Sequence, residues 1–229
     1  MFGMFFFLTQ FVQDVLGFSS LRAGIAFLPM TIALFAVSRT APRLMAVARP
    51  KPLMIAGMIP VIAGMAWLSR VSPDTGYWTG VFGPMTLIGG GMGVVFVPLT
   101  TVSLAGVRPE DSGAASSMVN VVQQAGGSLG LAVLVAVYGT AYRDAATRPL
   151  PGLSALAEKH HVLAHGMSTA FGLAAIFDVV ALLLIVILLK GRTARPAPAS
   201  ASASASLAAD DERDRVRVPD TAEVHELDE

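Results

Sequence analysis

Apolar residues run through this chain in blocks about one bilayer wide, and charged residues collect in the gaps between them. A helix needs about 20 apolar residues to cross the hydrocarbon core. The first block, Met1 to Val12, falls short of that length, and Gln13-Asp14 interrupts it. A first helix that begins part-way through a span predicts that the native protein starts earlier. Full spans are predicted from about Ala23 to Ala41, from Leu53 to Leu68, across the glycine-rich stretch around Gly83 to Thr101, from Ala114 to Tyr138 and from Gly166 to Leu189. Pro60 predicts a kink in the second of these, and Tyr77-Trp78 restart the chain as an interfacial aromatic belt would. Ala141 to His165 reads as a long polar connection. After Arg195 the chain turns into a Pro-Ala-Ser repeat, and Asp210 to Glu229 is dominated by acids. Such a tail buries too little apolar surface to fold, so residues 193–229 are expected to be a disordered extension.

The glycine-rich stretch is the centre of the arrangement. No ionisable acid or base stands between Asp74 and Arg108. In water Gly89, Gly90, Gly91 and Gly93 would each cost a helix roughly 1 kcal/mol relative to alanine. In lipid the backbone must bond within the helix, and neighbouring helices repair its breaks. Gly89 and Gly93 make a small-xxx-small face on which another backbone approaches closely. Pro98 lacks an N–H and leaves the Val94 carbonyl without its usual partner. These features suit tight packing or a direct part in substrate passage. The predicted span after Ala114 is the most polar, with Ser117, Asn120, Gln124 and Gly127 at helical spacing and Gln123 beside them. Gly126 and Gly130 repeat the small-xxx-small spacing there.

Composition agrees with the block pattern. The chain has 229 residues, 54% of them hydrophobic and 14% charged, and its mean hydropathy is +0.64. Soluble domains carry about 25% charged residues, so the fold class is an all-α membrane protein. The formal net charge of +0 offers nothing to nucleic acid. Cysteine is absent, which removes disulfides and thiolate metal sites. His160, His161 and His165 have only Glu158 at hand, and a polar segment entering a helix explains them without a metal. No nucleophile–base pair is apparent, and Gly89 to Gly93 lacks the Lys-Ser/Thr of a phosphate loop. An enzyme is therefore not expected, and no cofactor is implied.

Two segments carry a family resemblance. Gln13, Val15, Leu16, Gly17, Ser19, Leu21, Ala23, Gly24, Phe27, Leu28 and Pro29 fit Q-x-V-L-G-x-S-x-L-x-A-G-x-x-F-L-P. Ala105, Gly106, Val107, Pro109, Asp111, Gly113, Ala115 and Ser116 fit A-G-V-x-P-x-D-x-G-x-A-S, followed by N-x-x-[RQ]-Q-x-G-G-x-x-G-x-A over Asn120 to Ala132. Both resemble the fourteen-span drug:proton antiporters of the major facilitator superfamily. Arg43 to Lys51 resembles a degenerate copy of that superfamily's basic loop signature, without its aspartate and glycines, and a plain solvated basic loop explains it equally.

The resemblance covers about Gln10 to Lys190. It implies that residues 1–192 are the C-terminal six-helix half of an exporter, with the first helix truncated. Its partners would be the bilayer, a missing N-terminal half, and an amphipathic substrate exchanged for protons by alternating access. An inactive fragment or a non-transporting scaffold is the alternative. The resemblance also places the first, second, fourth and fifth helices of a half around the cavity. Asn120, Gln123, Gln124 and Gln13 are therefore the substrate-cavity candidates, with interhelical hydrogen bonding as the alternative role for the three in the fifth span. Asp178, near the middle of the last span, is a candidate proton site by its cost in lipid, but the resemblance puts it on a peripheral helix, protonated or hydrogen-bonded.

Arg39, Arg43, Arg49 and Lys51 form a loop without an acid, and Lys190 and Arg192 flank the last span. The positive-inside rule puts both ends in the cytoplasm of a multi-pass cell-membrane protein. The lack of native cysteine makes single-cysteine labelling clean. A cysteine at Ala46 should react only from the cytoplasm and one at Thr75 only from outside; labelling of both from one side would refute this orientation.

Overall fold

The computed structural model describes residues 1–148 and 154–189, and the predicted tail lies outside them. Among the described residues the secondary structure is helical throughout. The chain runs α1 (Phe2–Gln10), a π-turn (Phe11–Val15), α2 (Ser20–Ala26), α3 (Leu28–Ser38), α4 (Ala41–Val47) and α5 (Pro50–Leu68). It continues through α6 (Tyr77–Gly80), α7 (Phe82–Ser103), a short 3-10 turn (Pro109–Asp111), α8 (Ser112–Ala146) and α9 (Ala155–Leu188). Among the described residues five segments are long and apolar enough to cross a membrane: Ser20–Val47, Pro50–Leu68, Tyr77–Ser103, Pro109–Ala146 and Ala155–Leu188. Helix α1 is too short to join them, yet it occupies a sixth position, packed on α8 and α9.

Local chemistry explains the breaks. Gly17 has φ +68°, a left-handed conformation that spares a Cβ clash, and turns the chain after the π-turn. The Ser19 hydroxyl then accepts a hydrogen bond from the Arg22 N–H as the N-cap of α2. The span predicted as one helix from Ala23 to Ala41 is broken at Phe27 into α2 and α3, with α4 following from Ala41, and Pro29 and Pro42 sit in the first turns of α3 and α4. Proline is favoured at those positions, where its missing N–H breaks no bond. At the α2–α3 junction the Tyr77 hydroxyl donates to the Ala26 carbonyl at 2.8 Å, tying α6 to this kinked span. Pro60 lies inside α5 and Pro98 inside α7.

Helix α7 lies between α3 and α5 and makes the two most extensive helix contacts of the fold. A Cβ on Gly89 would run into the Met30 backbone of α3, and one on Gly93 would meet the Leu34 carbonyl at 2.8 Å. On the α5 side, Gly91 faces the Gly57 carbonyl and Gly57 faces that of Gly91, at 2.5 and 2.8 Å from the missing Cβ positions. Glycine thus permits backbone contact on two faces of one helix. In lipid, where hydrophobic burial adds little between helices, close van der Waals approach is the main source of association. The second packing unit is α9 against α5 and α8, with α1 in the groove of α8 and α9. Phe7 and Phe11 of the α1 segment are fully buried there, with Phe171 and Met167 of α9.

The predicted polar connection from Ala141 to His165 is mostly helix. Helix α8 continues to Ala146, and α9 begins at Ala155 behind Ser154, whose hydroxyl caps the Ala157 N–H. Charged side chains near a span's ends extend to the interface without ending the helix, so charge alone overstated the loop. At the other end of α9, Lys51 donates to the Val186 carbonyl at 2.7 Å, placing the basic loop level with the helix terminus. A cation there also complements the negative end of the helix dipole.

Replacing Gly89 by valine should therefore lower stability by about 1–3 kcal/mol, the usual cost of overpacking. Gly126, with nothing among the described residues within 4 Å of its Cβ position, should accept alanine with no loss. Thermal unfolding of the detergent-solubilised chain, followed by size-exclusion chromatography, compares the two.

Candidate functional site

Helix α8 holds the densest set of uncharged polar side chains within a span. Its second half is anchored by α1. Phe2 touches the Gly127 position, Gly3 abuts the Leu134 side chain, and the Phe7 and Tyr138 rings stand 5.2 Å apart. Those pairs advance together along both chains, so α1 and α8 run in the same direction. Leu134 is buried and Tyr138 half-buried as a result.

The first half of α8 has no such cover. Asn120, Gln123 and Gln124 are all exposed, and none has a hydrogen-bond partner for its side chain among the described residues. Seven residues complete nearly two turns, so Asn120, Gly127 and Leu134 lie on one stripe. Gln123 and Gln124 flank that stripe on either side. The amides therefore stand on the face that α1 covers further along, beyond the Met1 end of α1. Nearby hydroxyls are satisfied within the helix: Ser117 donates to the Gly113 carbonyl and Ser128 to that of Gln124. Amides are not satisfied in this way. Moving one into hydrocarbon without a hydrogen bond costs roughly 2–7 kcal/mol, so three of them on one stripe require a polar neighbour or water.

The remaining sequence-predicted residues are dispersed. Gln13 is half-buried in the π-turn, beyond the level of Tyr138. Tyr138 lies about 27 Å along α8 from Asn120 at the ordinary helical rise, so Gln13 does not join the amides. Among the described residues Gly126 and Gly130 have nothing within 4 Å of their Cβ positions, and their small-residue face is uncovered. Gly89 and Gly93 pack against α3, and Pro98 is buried within α7. Asp178 is half-buried on α9, one turn beyond Ala174, and its Oδ2 is enclosed without a hydrogen-bond partner among the described residues. Of the two states expected for it, protonated or hydrogen-bonded to a neighbour, the hydrogen bond is not formed among the described residues.

One grouping escaped the sequence reading. Asp144 and Arg148 of α8 and its end, and His161 and His165 of α9, line a hollow of about 210 Å³. The two histidines and the Asp144–Arg148 pair are each spaced by four, the signal that would have placed them on facing helices. Among the described residues no group of three His, Cys, Asp or Glu side chains is placed to hold a metal ion.

Comparison with known proteins fits this architecture. Residues 1–131 match the model of the Major Facilitator Superfamily. Over 138 residues the chain is 41% identical to the cephamycin export protein CmcT of Amycolatopsis lactamdurans, covering 60% of this chain and 28% of that protein. Over 137 residues it is 39% identical to the puromycin resistance protein pur8 of Streptomyces alboniger, covering 58% and 27%. Over 177 residues it is 32% identical to the MFS-type transporter EfpA of Mycobacterium tuberculosis, covering 75% and 33%. The chain thus spans about a third or less of the length of these relatives. They are transporters, not enzymes. A matched family model over more than half of the chain, five apolar spans and two glycine-packed helix faces lead to one assignment: this multi-pass membrane chain belongs to the Major Facilitator Superfamily.

Proposed function

We propose that residues 1–192 act as the C-terminal half of a cell-membrane exporter, moving an amphipathic drug or metabolite outward by alternating access in exchange for protons. The observation that carries this reading is the amide stripe of α8. Asn120, Gln123 and Gln124 are exposed within a span, where lipid would leave them unsatisfied. A water-filled cavity shared with a second helical half satisfies them and offers donors and acceptors to a substrate without the desolvation cost of a full charge. Sites between two repeats at the membrane midplane are the usual solution in transporters of this kind. The open faces of Gly126 and Gly130 lie beside the stripe and suit close approach of that second half.

The relatives support the direction and class of transport. Two are named for cephamycin export and for puromycin resistance, and the first name supports outward movement of a small molecule. The basic loop Arg39 to Lys51 supports a cytoplasmic position for both ends of this half. Half a cavity transports nothing, so the chain by itself is inactive.

Expressed alone in a drug-hypersensitive bacterial host, the chain should give no resistance, and expressed with an N-terminal half from an exporter of the family it should restore it. In that restored pair Asn120→Ala or Gln124→Ala should lower transport about 2- to 10-fold at unchanged membrane abundance, the worth of one substrate hydrogen bond. Asp178→Asn should change it little. Uptake and efflux of a fluorescent cationic dye measure all three. Proton-coupled efflux by the purified chain alone, or loss of transport on Asp178→Asn with silent α8 variants, would refute the reading.

A further inference from the structure

We propose that the hollow between the end of α5 and the start of α6 binds the headgroup of a membrane phospholipid that carries both a phosphate and a primary ammonium, the chemistry of phosphatidylethanolamine. The hollow measures about 390 Å³ and is lined by Trp67, Arg70, Val71, Asp74, Thr75 and Thr79, together with Gly80. It lies at the membrane end opposite the basic loop, because α5 runs from Pro50 beside that loop to Leu68 here.

Its depth is set by aromatic rings. Trp67 is on the last turn of α5, nearly half exposed, with its ring over Gly83 of α7. Tyr77, Trp78 and Phe82 form an aromatic cluster at the same end, edge-to-face for Tyr77–Trp78 at 5.3 Å between centroids and tilted for Trp78–Phe82 at 5.1 Å. Indole and phenol rings settle at the level of lipid headgroups. Arg70 and Asp74, just beyond α5, therefore stand where phosphate and ammonium groups lie.

The charges are available. Among the described residues the one ion pair is Arg148–Asp144, so Arg70 and Asp74 line the same hollow without pairing to each other or to another side chain. The turn that holds Asp74 is rigidified from within. Thr75 Oγ1 accepts from the Ser72 N–H at 2.9 Å, and the Thr75 methyl fills the space beside Gly80. A guanidinium offers several donors to a phosphate, and a carboxylate accepts charge-assisted bonds from an N–H-bearing ammonium. One cation and one anion in a single hollow match a zwitterion. An anionic lipid would leave Asp74 facing negative charge, and a choline headgroup has no N–H for it to accept. A cationic soluble ligand would meet Arg70.

The test uses the full chain purified in mild detergent. It is incubated with an equimolar mixture of phosphatidylethanolamine, phosphatidylcholine and phosphatidylglycerol of matched acyl chains, and retained lipid is read by native mass spectrometry. Phosphatidylethanolamine should be retained about threefold over the other two, the order expected for exposed charge pairs. Arg70→Gln should reduce retention of all three lipids, and Asp74→Asn should abolish the preference for the ethanolamine lipid while leaving phosphatidylcholine retention unchanged. Both side chains are exposed, so a matching size-exclusion profile confirms folding, and Asp111→Asn at the other membrane end serves as the unaffected control. Equal retention of the three lipids by the unsubstituted chain, or retention indifferent to Arg70→Gln and Asp74→Asn, overturns the proposal. Free glycerophosphoethanolamine competing as well as the lipid would assign the hollow to a soluble phosphoamine and overturn it too.

Discussion

Backbone contact along α7 is the constraint on which the rest of this membrane bundle depends. Acyl chains are as apolar as leucine, so burying leucine between helices yields little, and association rests on how closely two backbones approach. Helix α7 achieves this on both sides at once, with Gly89 and Gly93 toward α3 and Gly91 toward Gly57 of α5. A side chain at any of these positions would push one neighbour away and loosen the other. The same glycines would weaken a soluble helix, and the bilayer removes that penalty because an unbonded backbone group in hydrocarbon is costlier than lost chain entropy.

Around that sandwich, the remaining helices divide the work. Helix α9 joins α5 to α8, and Lys51 fastens its end through the Val186 carbonyl. The aromatic contacts of α1, Phe7 with Tyr138 and Phe171, close the groove between α8 and α9 over only part of its length. Where α1 stops, α8 stands clear, and its polar stripe begins. Packing and chemistry are thereby segregated along one helix: Leu134 and Tyr138 in the covered half, Asn120, Gln123 and Gln124 in the open half. Charge is kept to the membrane ends, with Asp178 the exception within α9.

The spans, their order and the basic loop were legible in the residues, because a 30 Å hydrocarbon layer demands uncharged runs of fixed length and leaves charge nowhere else to go. Gly89 and Gly93 announced a packing face by spacing alone, and the Asn120–Gln124 stripe showed itself by helical period. The errors came where one-dimensional signals are ambiguous. Arg143, Asp144, Glu158 and Lys159 read as a loop although they belong to helix ends whose side chains reach the interface. The helix break at Phe27, just before Pro29, was read as part of one continuous helix.

By itself, then, the sequence determined a helical membrane chain, its segments and its candidate residue types, since burial in lipid acts on each segment separately. Only the tertiary structure decided which of those residues meet. Among the described residues it set Gln13 far from the amides, left Gly126 and Gly130 uncovered, enclosed Asp178 Oδ2 without a partner, and gathered Arg70, Asp74 and Trp67 around one hollow. Such juxtapositions depend on crossing positions between helices distant in the chain, and those follow from the shape of the packed surfaces, which hydropathy and spacing do not encode.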